Sequence, residues 1–265
     1  ALDNCARPPF NSLVHRRVRC RHNLHQNQNS HPMPRLSHLT PWLKGQARLP
    51  PFVDMKKDWM DQERGGFLAI DVHVPAHESM DLPAESLEAS WKHCHEYVSH
   101  ALELIRADEP VCLDSYERDL VRRELGDPPT LCHPIYLITI ANEHEERLVY
   151  VGKTSTDHGR FRGGHRALSR LLDPKYDGFT KNIYLAAVVL LSRDSDTIPL
   201  EWVQSLSEAK GILASYESQL IYDFKPELNS QHVEHHNSTW PVQIHIQNFS
   251  GHSRFLNDYF CGPFR

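Results

Sequence analysis

The sequence predicts an α+β fold in which a small antiparallel β-sheet is flanked by helices and preceded by a helical region. Three observations predict it. Apolar residues recur at helical spacing between positions 87 and 105, β-branched and aromatic residues fill two short runs between 135 and 153, and residues 182–191 are apolar throughout. The 265 residues suffice for one large domain or two small ones.

The first half of the chain divides into a polar arm and a helical part. Residues 1–51 are rich in Arg, His, Asn, Gln and Pro, so we expect a disordered basic arm or an upstream extension. Residues 52–130 are expected to be mostly helical, with a capping box at Asp114 and Glu117. Two prolines after Asp127 mark a boundary. One apolar stripe predicts the main helix, and it consists of Leu87, Trp91, Cys94, Val98, Leu102 and Ile105.

The second half, residues 131–231, has the order strand, strand, helix, strand, helix. Strands at 135–141 and 148–153 form a predicted hairpin in which Tyr150 lies opposite Ile138, so that Tyr136 and Tyr150 share one face. A helix is expected from about 158 to 172, a central strand at 182–191, and a last helix that Gly211 interrupts. Residues 232–265 form a tail of unassigned role with a strand-like run at 242–246.

Charge is unevenly distributed along the chain. The formal net charge is −5, but residues 1–50 carry eight Lys or Arg against one acid, and residues 147–181 carry eight against three. Phosphate contact depends on local potential, so a basic face can hold nucleic acid on an acidic protein. A solvated charged helix explains the same composition. No apolar run of 18 residues and no secretory signal is seen, which predicts a protein without a membrane span. The six cysteines are scattered and contain no C-x-x-C, so we interpret them as reduced thiols of a cytoplasmic protein.

Glu217 departs from the pattern of its predicted helix. It shares one helix face with the apolar residues Leu213, Leu220 and Phe224. A carboxylate on such a stripe is unfavourable unless a cation or hydrogen bonds compensate it. The structural alternatives are a salt bridge to an arginine or a helix-edge position that reaches solvent.

A basic stretch precedes the central strand. Arg160 and Arg162 are expected to open a helix, where guanidinium groups and backbone N–H groups favour phosphate, and His165 follows them. Each is equally compatible with an ordinary surface charge. The predicted nucleic-acid-binding residues are Arg162, Arg166, Arg170 and Lys181.

Taken together, these residues resemble the GIY-YIG endonuclease family over about residues 132–231. Pro-Ile-Tyr136 and Tyr150-Val-Gly match its two half-motifs, and Arg160, Glu217 and Asn229 follow in the family's order. Proline replaces the first glycine. His165 lies five residues after Arg160 instead of the usual four, which leaves open whether Arg160 or Arg162 is the main phosphate ligand. The segment 216–229 looks most like the restriction-enzyme branch.

The resemblance implies one divalent ion, Mg²⁺ or Mn²⁺, held by Glu217 as a single carboxylate ligand. Tyr136 would orient or deprotonate the attacking water. A phenol with an ordinary pKa of about 10 is a weak base at neutral pH, so Lys153 or Arg160 would have to lower the pKa of Tyr136. Tyr150 would assist.

The remaining implied roles concern the phosphate and the scaffold. Arg160, with Arg162 and His165 nearby, would neutralise the non-bridging oxygens, and Asn229 would brace the site by hydrogen bonding. DNA is the expected partner, with a homodimer as an open alternative. Two other readings compete: an inactive nucleic-acid-binding module of the same fold, and an unrelated α+β protein whose tyrosines belong to the core. The last predicts that the site residues do not converge.

Overall fold

The computed structural model of the chain describes residues 37–55, 65–82, 85–107, 112–154, 161, 164–191, 197–235, 239–240 and 243–262. Two of the predicted site residues, Arg160 and Arg162, lie outside these ranges, as do the first 36 residues of the predicted arm. All structural statements below concern the described residues.

Within that part of the chain there are five α-helices, seven β-strands and three short 3-10 helices. The α-helices are α1 (Thr40–Leu43), α2 (Leu87–Ile105), α3 (Ser115–Leu125), α4 (Arg166–Arg170) and α5 (Leu206–Phe224). The strands are β1 (Gly65–Pro75), β2 (Ile135–Ala141), β3 (Glu146–Lys153), β4 (Thr180–Leu191), β5 (Thr197–Pro199), β6 (Gln243–Asn248) and β7 (Tyr259–Cys261). The 3-10 helices are Ala76–Asp81, Pro174–Tyr176 and Leu200–Trp202.

The strands form one mixed sheet in the order β3-β2-β4-β1-β6-β7, with β5 paired to β4. Strands β1 and β6 are parallel and the other pairs are antiparallel. The α+β class is therefore confirmed, but the prediction of a small antiparallel sheet is wrong. The sheet is larger because β1 and β6 come from segments that the sequence placed outside the residue range 131–231.

Strand β1 is the element that the helical interpretation of residues 52–130 missed. Its buried residues Leu68 and Ile70 alternate with less buried neighbours, the period-two pattern of a strand. Antiparallel pairing with β4 runs from Gly66 to Pro75 and contains one register shift, between Ile70 and Val72. Strand β6 agrees with the strand-like run expected near residues 242–246.

The hairpin and the central strand follow the sequence prediction. Ile138 pairs with Tyr150 as expected, and a bulge beyond this pair shifts the register before Thr139. Strand β4 lies between β1 and β2 with nearly all its central residues buried, as expected for an apolar strand covered on both faces.

Helices cover the two faces of the sheet unequally. On one face α2 and α5 pack on Leu137, Tyr184 and Leu68, and on the other α4 and the Pro174–Tyr176 turn cover Ile138 and Ile183. Residues 37–51 were expected to belong to the disordered arm, but they pack instead. Within them the side chains of Leu39 and Trp42 are fully buried.

Local signals explain most helix ends. The capping box of α3 forms as predicted, with Asp114 and Glu117 each bonding the other's backbone N–H. Helix α5 runs through Gly211 without a break, and a Cβ at this position would lie 3.2 Å from the indole nitrogen of Trp240. Helix α4 begins only at Arg166, so the predicted helix from 158 to 172 is too long. None of the described helices combines the length and apolar character that crossing a bilayer requires.

Candidate active site

Strands β2 and β3 place Tyr136 and Tyr150 on one face of the sheet. Their ring centroids are 6.0 Å apart and the ring planes differ by 27°. Gly152 is paired with Tyr136, and glycine is needed there because a Cβ would lie 2.3 Å from the phenol oxygen. The Tyr150-x-Gly152 spacing therefore lets one tyrosine ring lie across the neighbouring strand.

His165 joins the two tyrosines from the segment that precedes α4. Its Nε2 lies 3.0 Å from the Tyr136 hydroxyl, and both side chains are buried. The ring also packs against Tyr150 at 5.4 Å and against Phe161 at 5.3 Å between centroids. The hydrogen bond fixes the orientation of the imidazole, while the tautomer decides which atom donates.

A cavity of about 440 Å³ opens next to this group. Tyr150 and His165 line it, whereas Tyr136 is 1 % exposed and lies beneath them. The tyrosine with direct access to a ligand is therefore Tyr150, contrary to the expectation that Tyr136 contacts the attacking water. The other polar residues that line the cavity are Arg166, Arg170, Glu217, Asn229, Ser230, Gln231 and His232.

Glu217 reaches the cavity from α5 and is compensated by a cation. Lys153 Nζ lies 2.5 Å from Glu217 Oε2, and the Glu217 side chain is 16 % exposed. The salt-bridge alternative is thus realised, with a lysine instead of an arginine. Lys153 pairs with Ile135 and so projects from the sheet face opposite to Tyr136. It is not placed to act on the Tyr136 phenol, which corrects that expectation.

Asn229 fastens the outer edge of the sheet. Its Oδ1 accepts a hydrogen bond from Val151 N, and its Nδ2 donates one to Val151 O, both at 2.9 Å. Leu228 N also donates to Val149 O. The loop after α5 therefore continues the hydrogen bonding of edge strand β3, and both ends of the Asn229 amide are used for this purpose.

The predicted nucleic-acid-binding residues separate into two groups. Arg166 and Arg170 are exposed at the cavity, and Arg170 Nη1 also donates to Leu228 O at 3.2 Å. Lys181 does not join them. It lies on β4 at a second, mainly apolar cavity of about 420 Å³ beside Leu172 and Phe179. Its prediction rested on charge along the sequence, which carries no information about position in the sheet.

Three polar lining residues were missed by sequence reasoning. Ser230, Gln231 and His232 follow Asn229 directly, and His232 has a backbone φ of +63°. Their proximity to the motif asparagine was the only signal. It was not used, because Ser230 and Gln231 were given no role within the residues 131–231 and His232 was assigned to the separate tail.

The donor set is compatible with one hard divalent cation. Within the described residues, Glu217 is the only carboxylate at the cavity, and no group of three or more His, Cys, Asp or Glu residues is arranged to hold a metal ion. Mg²⁺ is often held by one or two carboxylates, with water and substrate phosphate oxygens completing its coordination. Glu217 is therefore the described residue that would hold such an ion.

No family model, curated protein or solved structure matches this chain at a significant level.

Proposed function

We propose that the chain is a divalent-metal-dependent endonuclease that hydrolyses phosphodiester bonds in DNA with a GIY-YIG-type site. The supporting observation is the convergence of Tyr150, His165 and Glu217 on one cavity. These residues come from β3, from the segment before α4 and from α5, which are distant in sequence. Under the reading of an unrelated fold with core tyrosines, there is no reason for them to meet.

The cavity suits a phosphodiester because its walls carry fixed positive charge. Arg166 and Arg170 contribute guanidinium groups, which bind phosphate oxygens in a bidentate manner. The Glu217 charge is neutralised by Lys153. A DNA phosphate would be attracted even before any cation enters, and its affinity should fall steeply with salt.

We assign the positioning of the attacking water to the residues that face the cavity. Tyr150 orients the water, and the His165 ring packs against Tyr150. Tyr136 acts through His165 by holding the imidazole at Nε2. This assignment follows the burial of Tyr136 and its hydrogen bond of 3.0 Å to His165.

Glu217 would hold the cation in this proposal. When bound, a divalent cation supplies positive charge to the phosphate and to the leaving oxygen. Asn229 keeps β3 in place through Val151, and β3 carries Tyr150. Asn229 therefore supports the position of Tyr150, which orients the water.

A plasmid-nicking assay tests the proposal. Supercoiled DNA is incubated with the chain and with Mg²⁺, Mn²⁺ or EDTA, and open-circular and linear products are quantified. Wild type should cut only with a divalent cation, and Glu217→Gln should lose cutting while Glu103→Gln, which changes an exposed carboxylate on α2, retains it. Equal cutting by both variants would refute the assignment of Glu217.

The second candidate is an inactive nucleic-acid-binding module of the same fold. One observation favours it: the Glu217 carboxylate is already engaged by Lys153, so that the cavity can attract phosphate without a cation. It predicts DNA binding that is insensitive to EDTA and no nicking under any metal condition in the same assay.

A further inference from the structure

We propose that Lys153 competes with the divalent cation for Glu217, so that the free chain binds the cation weakly and the cation enters together with the DNA phosphate. This inference rests on the proposed function, because it concerns the same site. It gives Lys153 a role opposite to the one expected from sequence: the lysine opposes metal binding instead of activating a tyrosine.

The contact between Lys153 and Glu217 is short and partly buried. Lys153 and Glu217 meet at 2.5 Å, with side chains 28 % and 16 % exposed. Glu217 is held on α5 between the buried residues Leu213 and Leu220, and Lys153 ends strand β3. Because both side chains are already partly buried, less side-chain entropy is lost in forming this pair than in a fully exposed one.

The positive charge around Glu217 also opposes the entry of a cation. Arg166 and Arg170 line the same cavity, and Glu217 is its only described carboxylate. A divalent cation that enters the free chain must displace the Lys153 ammonium and approach two guanidinium groups. A DNA phosphate changes both conditions, since it neutralises the arginines and offers oxygen ligands. Affinity for the cation and for DNA is therefore coupled.

The chain contains a matched ion pair away from the cavity. Lys210, also on α5, contacts Glu88 at 2.6 Å, with exposures of 35 % and 25 %. Lys210→Met removes a contact of the same kind and the same charge from the protein, while Lys92 still contacts Glu88 at 2.8 Å. Arg166→Met removes one positive charge from the cavity wall and leaves the Lys153–Glu217 contact in place. Together the two variants separate competition for Glu217 from general electrostatics.

The experiment measures Mn²⁺ binding without DNA, by the electron paramagnetic resonance signal of free Mn²⁺. Lys153→Met should tighten binding about fivefold, the amount expected from losing a competing pair of this exposure. Lys153→Arg keeps the charge and should bind as wild type, and Lys210→Met should be unchanged. Arg166→Met should gain less Mn²⁺ affinity than Lys153→Met. Adding Glu217→Gln to Lys153→Met should abolish the gain in Mn²⁺ affinity.

A noncleavable phosphorothioate duplex supplies the second measurement. It should tighten Mn²⁺ binding by wild type by more than it does for Lys153→Met. The inference is overturned if wild type and Lys153→Met bind Mn²⁺ equally and thermal melting shows that the variant is folded. It is also overturned if Lys210→Met gains as much Mn²⁺ affinity as Lys153→Met. If nicking depends on Glu217 but Lys153→Met does not change the Mn²⁺ affinity, the endonuclease proposal is retained and the competition is refuted. A gain in affinity without nicking by any variant would refute the endonuclease and support the competition.

Discussion

Replacing Asn229 with alanine removes two hydrogen bonds from the edge of the sheet. The lost bonds join the side-chain amide to Val151 N and Val151 O, each at 2.9 Å. A net hydrogen bond contributes about 1 kcal/mol, and a buried group left without one costs about 1–3 kcal/mol. Because Val151 is buried, we expect Asn229→Ala to lower the free energy of unfolding by about 2–4 kcal/mol.

Urea unfolding followed by far-UV circular dichroism measures this loss. Asn142→Ala is the matched control, since Asn142 Oδ1 also makes two backbone hydrogen bonds at 2.9 Å, from His144 N and Glu145 N. That turn is exposed, so water replaces the lost bonds, and we expect less than about 1 kcal/mol. Equal losses in the two variants would show that Asn229 is not an edge brace.

Asn229→Asp separates bracing from ligation at the same position. The carboxylate can still accept from Val151 N, but it places an acceptor against Val151 O, where the amide donated. Nicking should therefore fall as it does in Asn229→Ala. Retained or increased nicking by the aspartate would indicate that Asn229 contacts the cation or the DNA and is not a brace of strand β3.

Three further predictions concern the tyrosine site and the acid range. Gly152→Ala should destabilise the fold by about 1–3 kcal/mol and reduce nicking at least tenfold, because the added methyl group would lie 2.3 Å from the Tyr136 hydroxyl. Gly65→Ala is the control, since its methyl group would meet nothing closer than 3.5 Å. In the same melts and assays, this control should change neither stability nor nicking. Tyr136→Phe loses the hydrogen bond to His165, so it should lower kcat at least tenfold and shift the pH profile of nicking. DNA affinity, measured by fluorescence anisotropy, should stay unchanged. An unshifted pH profile would exclude a role of Tyr136 through the imidazole. Burial lowers the pKa of His38 to about 4 from 6.5, so the unfolded state binds more protons in the acid range. The free energy of unfolding should therefore fall by up to about 3 kcal/mol as pH drops from about 7 to 4. His38→Phe should flatten this fall in pH-dependent urea melts, and an unchanged slope would contradict the assignment to His38.

Local patterns predicted the hairpin half of the fold well. The pairing of Ile138 with Tyr150 follows from strand alternation and loop length, and the capping box at Asp114 follows from residue types three positions apart. Both depend on neighbours in sequence. The sheet beyond β4 does not, because the paired residues of β1 and β6, such as Gly65 and Gln243, are 178 positions apart and no local pattern shows that they pair.

The same limit applies to the site. Tyr136, Tyr150, His165, Glu217 and Asn229 were all named from sequence, and the structure brings them to one region. Which tyrosine faces the cavity, however, depends on how the segment before α4 covers the sheet. That covering is a tertiary contact, so the burial of Tyr136 could not be foreseen.

The position of β4 decides how the chain can be shortened. A fragment restricted to residues 131–231 would keep every described residue of the site up to Gln231 and lose β1, which pairs with β4 from Gly66 to Pro75. A long apolar strand would then present open backbone donors and acceptors to solvent, where another copy could add to it. Such a fragment should accumulate as insoluble aggregates, so activity is best sought in protein that retains the first strand.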